Sequence, residues 1–204
     1  MNKQIALSLP YKGRVIDLGC GSSPYKKIIQ QMSREYIGVD WNNTLHDKSN
    51  VDVFANICKG FPFKDCSVDT VVCFQVLEHL QEPNFFLSEC YRILRPGGKL
   101  LITVPFMWHI HEAPYDYFRY TRYGLEYLLL KNEFSDILIY ENTGFWQMWI
   151  LKLNYHINYK FSGKLLNNIW VPILWLGQIL SPMLDKYDKH PQETVSYTCI
   201  ASKA

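Results

Sequence analysis

Apolar and polar positions along this chain follow two alternating periods. Near-continuous apolar runs that end in a carboxylate or a turn residue mark buried strands. They fall at Arg14–Leu18, Tyr36–Asp40, Val51–Phe54, Val68–Phe74, Lys99–Val104, Ile137–Glu141 and Val195–Ala201. Between them, Tyr25–Met32, Pro83–Leu94 and Arg122–Lys131 carry helical spacing. The alternation predicts an α/β fold, a doubly wound, Rossmann-like, mostly parallel sheet with helices on both faces. The link NNTLHDKSN from Asn42 is polar and short, and predicts a loop or a single turn.

Within this pattern the run VIDLGCGSSP, from Val15, carries the first chemical information. A strand leads into Asp17, then Gly19 and Gly21 flank Cys20, the kind of turn that lets a backbone approach a nucleotide. A dinucleotide fingerprint would place a third glycine where Pro24 stands. Pro24 suits a first helical position with Ser22 or Ser23 as its cap, and its ring argues against a pyrophosphate on the helix N-terminus. A nucleoside without phosphates is the expected ligand. Asp40 closes the second strand at the distance that lets an acid accept both ribose hydroxyls.

Two further blocks stand in register. VDTVVCFQVLEHL, from Val68, is a strand with Gln75, Glu78 and His79 at its mouth, and YRILRPGGKLLITVP, Tyr91 to Pro105, is a helix end, a turn and a strand. Together the four blocks resemble the class I S-adenosylmethionine-dependent methyltransferases, in particular the small-molecule subgroup that includes the ubiquinone and menaquinone type. The resemblance covers about the first two thirds of the chain. It implies seven strands, the last antiparallel and inserted beside the fifth, and S-adenosyl-L-methionine as the cofactor with no metal. It also implies that Asp17 and the Gly19–Cys20–Gly21 backbone hold the methionine end and that Asp40 takes the ribose. Trp41 would lie along the adenine, Asn56 and Ile57 near its amino group, and Gln75 by the methionine portion. Asn56 stands where relatives often carry an aspartate, and an amide oxygen can accept the same bond.

The segment PFMWHIHEAPYDYFRYT, from Pro105, follows the fifth strand and concentrates His109, His111, Glu112, Tyr115, Asp116, Arg119 and Tyr120. It resembles, more loosely, a motif of uncharacterised bacterial methyltransferases associated with cell-surface glycan clusters. If the acceptor is a hydroxyl, His109 or His111 is the expected base, with His79 a competitor. Arg119 could anchor an anionic acceptor between Tyr115 and Tyr120, or pair with Asp116 simply to hold the loop. The expected function is methyl transfer to a small-molecule, saccharide or lipid-linked acceptor. A non-catalytic cofactor-binding protein and a nicotinamide oxidoreductase are the alternatives.

Only about a dozen residues precede the first strand, too few for the N-terminal helical cap of many relatives. Instead Asn142 to Glu193 separates the sixth and seventh strands and is rich in aromatics: Phe145, Trp146, Trp149, Tyr155, Tyr159, Phe161, Trp170 and Trp175. A structureless loop of that length is improbable, so a helical substrate cover is expected there, over the sheet's C-terminal edge. Within it, 165–184 carries no charge. Leu165, Ile169, Ile173, Leu176, Leu180 and Leu184 form a helical stripe, whereas Asn167, Asn168, Gln178, Ser181, Pro172 and Pro182 oppose a membrane span. A buried or capping helix is the main expectation. Peripheral contact at a membrane stays open because Trp170 and Trp175 suit the headgroup zone.

Composition adds bounds. The 204 residues form one expected domain, with a core at about 12–141 and 194–202 and the insertion at about 142–193. A net charge of +2 leaves no footprint for a polyanion, so nucleic acid is not an expected partner. The six cysteines form no C-x-x-C pair and read as small buried hydrophobes in a reducing compartment. MNKQIALSLP has too short an apolar run for a signal peptide, and a cytoplasmic protein is the expectation. The oligomeric state is not legible.

Overall fold

A computed structural model describes residues 11–43, 47–160, 164–188, 190 and 192–204, with only the backbone given at 164–170. Seven strands form one sheet: β1 (Arg14–Leu18), β2 (Glu35–Asp40), β3 (Val53–Phe54), β4 (Val68–Phe74), β5 (Leu94–Pro105), β6 (Phe134–Glu141) and β7 (Ser196–Lys203). The helices are α1 (Lys26–Met32), α2 (Pro83–Ile93), α3 (Arg122–Lys131), α4 (Phe145–Lys160) and α5 (Lys164–Tyr187), and Leu77–His79 form a 3-10 turn. The spatial order is β3-β2-β1-β4-β5-β7-β6. The first five strands pair in parallel, and β7 runs antiparallel to β5.

The chain builds outward from β1 to β3, then crosses back to lay β4 on the other side of β1. That reversal opens a crevice beyond the carboxyl ends of β1 and β4, where open α/β sheets bind ligands. Asp17, in β1, lies opposite Gly38 and Val72 of the flanking strands. Val15, Ile16, Leu18, Val71, Val72 and Cys73 are fully buried, which is why these strands read as unbroken apolar runs.

Most expected boundaries fall within a residue or two of the observed ones. The start of α1 differs. The helix begins at Lys26, with Tyr25 as N-cap and no side-chain cap, so Pro24 belongs to the preceding turn and neither Ser22 nor Ser23 caps it. Ser23 instead turns the chain with φ of 51°. Four cysteines are buried as expected, but Cys58 and Cys66 are exposed. In the Asn42 link the described residues form turns, and residues 44–46 lie outside the described set.

Residues 106–108 and 141–196 form a second compact unit. Its helices α4 and α5 bear out the expected helical insertion. Asp185 on α5 reaches the start of α4, where its carboxylate accepts the backbone N–H groups of Gly144 (3.1 Å), Trp146 (2.8 Å) and Gln147 (3.1 Å). These are donors that a helix cannot satisfy within itself. Ser181 and Asp185 are buried on α5, while Ile173, Trp175, Leu176, Ile179, Leu180 and Met183 are exposed. Over its described side chains, 171–187, the charge-free helix is therefore largely exposed. Among the described residues, no helix is long and apolar enough to cross a membrane.

Candidate active site

The glycine turn after β1 is fixed by backbone geometry. Gly19 has φ of +71°, and a Cβ there would meet Val76 Cγ2 at 2.5 Å, so a larger residue is excluded twice over. The N–H groups of Gly19 and Cys20 both donate to the Val39 carbonyl, at 2.8 and 3.1 Å. Gly21 donates to Asp40 Oδ2 at 2.8 Å, and Trp41 donates to Asp40 Oδ1 at 2.7 Å. The nearly buried Asp40 carboxylate thus ties the turn to the end of β2. Each of its oxygens keeps a second lone pair for a ligand.

Asp17 lies beneath this turn and is 2% exposed. Tyr36 donates its hydroxyl to Asp17 Oδ2 at 2.7 Å, but Oδ1 has no hydrogen-bond partner. Burial pushes the Asp17 carboxyl up to about 7, with the Tyr36 bond opposing and Asp40 adding to the rise. A cavity of about 210 Å³ opens here, lined among others by Asp17, Gly19, Tyr25, Phe74, Gln75 and Thr103. Gln75, past the end of β4, holds a left-handed φ of 56°. Its N–H donates to the Thr103 carbonyl (3.0 Å) and its side-chain amide to Thr103 Oγ1 (3.1 Å). Another cavity, about 320 Å³, lies at the opposite ends of the strands around Lys12, Asp69 and Arg95. There Arg95 is already paired with Asp69 at 2.7 Å.

An orphaned carboxylate oxygen, a turn that admits no side chain and an acid at the end of β2 fit the methionine and ribose parts of S-adenosylmethionine. The outer positions are looser. Trp41 is 39% exposed and meets the Tyr115 ring edge-on at 6.3 Å. Ile57 is buried, and Asn56 Oδ1 already accepts the Cys58 N–H at 3.0 Å.

A second cluster forms where the segment after β5 docks on the 3-10 turn. The N–H groups of Tyr117 and Phe118 donate to the Glu78 carbonyl, and Tyr120 donates its buried hydroxyl to the Leu77 carbonyl at 3.1 Å. Tyr120 is therefore a brace of the loop rather than an open aromatic wall. This docking brings the His79 and His111 rings to 4.9 Å, at an angle of 73°. Beneath them Glu78 is fully buried with neither carboxylate oxygen hydrogen-bonded, and burial pushes its carboxyl up to about 8.

Asp116 and Arg119 form a two-pronged ion pair, at 2.6 and 2.7 Å, and Asp116 also accepts the His111 N–H at 2.8 Å. The guanidinium holds the Asp116 carboxyl well below the usual carboxylate range. Arg119 further donates to the carbonyls of Phe118 and His109. This geometry is that of a loop clasp, the second of the two readings open to Arg119. His109 contributes its carbonyl to the clasp and is exposed. Tyr36 was not among the expected site residues. Its signal, a phenol within an otherwise apolar strand beside an expected buried acid, is legible only once β1 and β2 are paired.

The strand order and the glycine turn resemble those of class I S-adenosylmethionine-dependent methyltransferases, and comparisons with known proteins point the same way. Residues 16–102 match the family described as a methyltransferase domain. A probable S-adenosylmethionine-dependent methyltransferase of Mycolicibacterium smegmatis is 38% identical over 96 residues, 45% of this chain and 37% of that protein. The ubiquinone biosynthesis O-methyltransferase of Rhizobium johnstonii is 28% identical over 103 residues, 46% of this chain and 42% of that protein. The matched stretch thus spans well under half the length of either relative. A SAM-dependent methyltransferase from Archaeoglobus fulgidus superposes with a TM-score of 0.64 at 18% identity, covering 98% of this chain and 90% of that one. The fold is shared across nearly the whole chain. Neither the nicotinamide oxidoreductase nor the non-catalytic binder gains support.

Proposed function

We propose that the chain transfers a methyl group from S-adenosylmethionine to an oxygen of a small-molecule, saccharide or lipid-linked acceptor. The observation that carries the cofactor half is Asp17, whose unpartnered buried oxygen borders the cavity under the glycine turn. A buried carboxylate with an unmet lone pair attracts an ammonium group, and the methionine end of the cofactor supplies one. The Gly19–Cys20–Gly21 backbone lies against that end, Asp40 accepts from the ribose, and Trp41, Asn56, Ile57 and Gln75 border the rest. The cofactor brings an electrophilic methyl group on sulfur. The protein's task is to orient the acceptor oxygen, exclude water and receive a proton.

His79 is suited to receive that proton. Its Nδ1 lies 2.7 Å from the Tyr115 carbonyl and so carries the hydrogen, which leaves Nε2 as the basic nitrogen. His111 is its nearest alternative. The test is turnover of labelled cofactor with glycan, lipid and small-molecule extracts, together with titration by S-adenosylhomocysteine and by NAD. Tighter binding of NAD than of S-adenosylhomocysteine would overturn the reading.

A lipid-linked acceptor is favoured over a freely diffusing one by α5. That helix turns Ser181 and Asp185 inward and apolar side chains outward, with Trp175 66% exposed. Lys164 precedes the charge-free run, and Asp185 and Lys186 follow it. An apolar face that carries an exposed indole suits a membrane surface. Co-sedimentation with vesicles containing an anionic lipid, and a blue shift of tryptophan emission, are the expected results. Their absence would leave the soluble acceptor.

A further inference from the structure

We propose that Glu78, His79 and His111 bind a divalent transition-metal cation. The three residues offer donor atoms within 4.8 Å of one another. Two donors each about 2.1 Å from one ion lie roughly 3.0 to 4.2 Å apart as their angle opens from a right angle to a line. The 3.8 Å between His79 Nε2 and Glu78 Oε1 falls inside that range. The widest pair must close by about half an ångström to sit on opposite sides of the ion, and by about 1.4 Å for a tetrahedral pair.

The surroundings of His79 point the same way. His79 turns Nδ1 to the Tyr115 carbonyl at 2.7 Å, while His111 Nδ1 lies 3.3 Å from Asp116 Oδ2 and 3.4 Å from Arg119 Nη2. Metal-binding histidines are held as His79 is, with one nitrogen donating to a carbonyl or carboxylate and the other left as a lone pair. Glu78 supplies the independent observation. It is 0% exposed, and both its oxygens lack hydrogen-bond partners. A carboxylate so placed is unsatisfied by the protein alone and is completed by a cation. Glu112 Oε2, 3.9 Å from His79 Nε2, is within reach as a fourth ligand. Two imidazoles and a carboxylate suit zinc, manganese or iron(II) better than calcium.

The site sits on the turn that follows Gln75, which lines the cofactor cavity. A cation there would hold an acceptor oxygen and lower its pKa, so that its proton passes to water, and His79 would serve as the base only in the metal-free chain. That role rests on the methyltransferase reading, whereas the binding site itself does not.

The test is calorimetric titration of the tag-free, chelator-treated chain with Zn²⁺ and with Mn²⁺, alongside titration with S-adenosylhomocysteine. One ion per chain is expected, bound more than tenfold more weakly by His79→Gln, His111→Gln and Glu78→Gln. The two partly exposed histidines give variants that keep the fold even if Glu78→Gln does not. No binding by the parent chain, or binding undiminished in the histidine variants, overturns the proposal. Loss of S-adenosylhomocysteine binding in the parent chain would instead overturn the cofactor reading and leave the cation site standing on its own titration.

Discussion

Tyr36 donates its hydroxyl to Asp17 at 2.7 Å, joining β2 to the buried acid of β1 directly below the glycine turn. Asp17 keeps its proton up to about pH 7 in the folded chain, against an ordinary value of 3.8. Folding therefore takes up a proton between these values. The stability that this proton confers is complete below about pH 4 and is lost as the pH rises through about 7. The difference across the window is on the order of 4 kcal/mol. Urea unfolding of the ligand-free protein at pH 5.5 and 8.5 should show about 2 kcal/mol of it, and Asp17→Asn should flatten the profile. A flat profile in the parent chain would refute the assignment.

On the role proposed for Asp17, cofactor binding depends on pH. An ammonium group needs the ionised carboxylate, so S-adenosylhomocysteine should bind more tightly at pH 8 than at pH 6 and release a proton at the lower pH. Calorimetry in two buffers of different ionisation enthalpy measures that proton. Tyr36→Phe removes the hydrogen bond that favours the ionised form, so its transition should move to higher pH at a cost of about 1–2 kcal/mol at pH 8.

Gly19→Ala would place a methyl group against Val76 and hold φ at +71°. Left-handed backbone costs about 1–2 kcal/mol and overpacking about 1–3 more. A fall in thermal midpoint with at least tenfold weaker S-adenosylhomocysteine binding is expected. An unchanged affinity would show that the turn does not contact the cofactor.

How much of this was legible beforehand depends on the range of the interaction. β1, β4 and α3 match their expected limits because local apolar periodicity decides them. Asp17, Gly19 and Asp40 could be singled out because a strand–turn–helix motif keeps its parts close in sequence. The cap of α1 was misread because Ser23 uses its left-handed φ to turn the chain, a backbone choice that competes with capping. Glu78 could be seen only as a loop residue. Its burial depends on a segment that begins beyond β5 and folds back onto it. The exposure of α5 was illegible for a related reason, since a stripe of leucines reads alike whether it faces a core or the surroundings.

Asp185→Ala should destabilise the helical unit by about 2 kcal/mol, the upper end for a lost cap, because several amides lose their acceptor together. The check is circular dichroism melting combined with proteolysis, with new cleavage expected near the start of α4. Undiminished protection there would show that the helix needs no cap.

Arg119→Ala should release the segment 109–120 while leaving the sheet intact. Amide exchange is expected to quicken at His111, whose N–H bonds to Asp116, and at Tyr117, whose N–H bonds to Glu78. Arg119→Lys keeps the charge but loses the fork, and should restore only part of the protection. Exchange unaltered in both variants would count against the clasp.

The sheet order carries a consequence for how the chain reaches its final form. Because β7 lies between β5 and β6, β6 has no neighbour in the sheet until β7 has been synthesised. On the ribosome, β1 to β5 can assemble in sequence while β6 waits through both long helices. The closing event is a strand sliding into a slot rather than adding to an edge. Pairings so distant along the chain are slow to form. Until that moment, β5 offers an open edge on which other chains could pair.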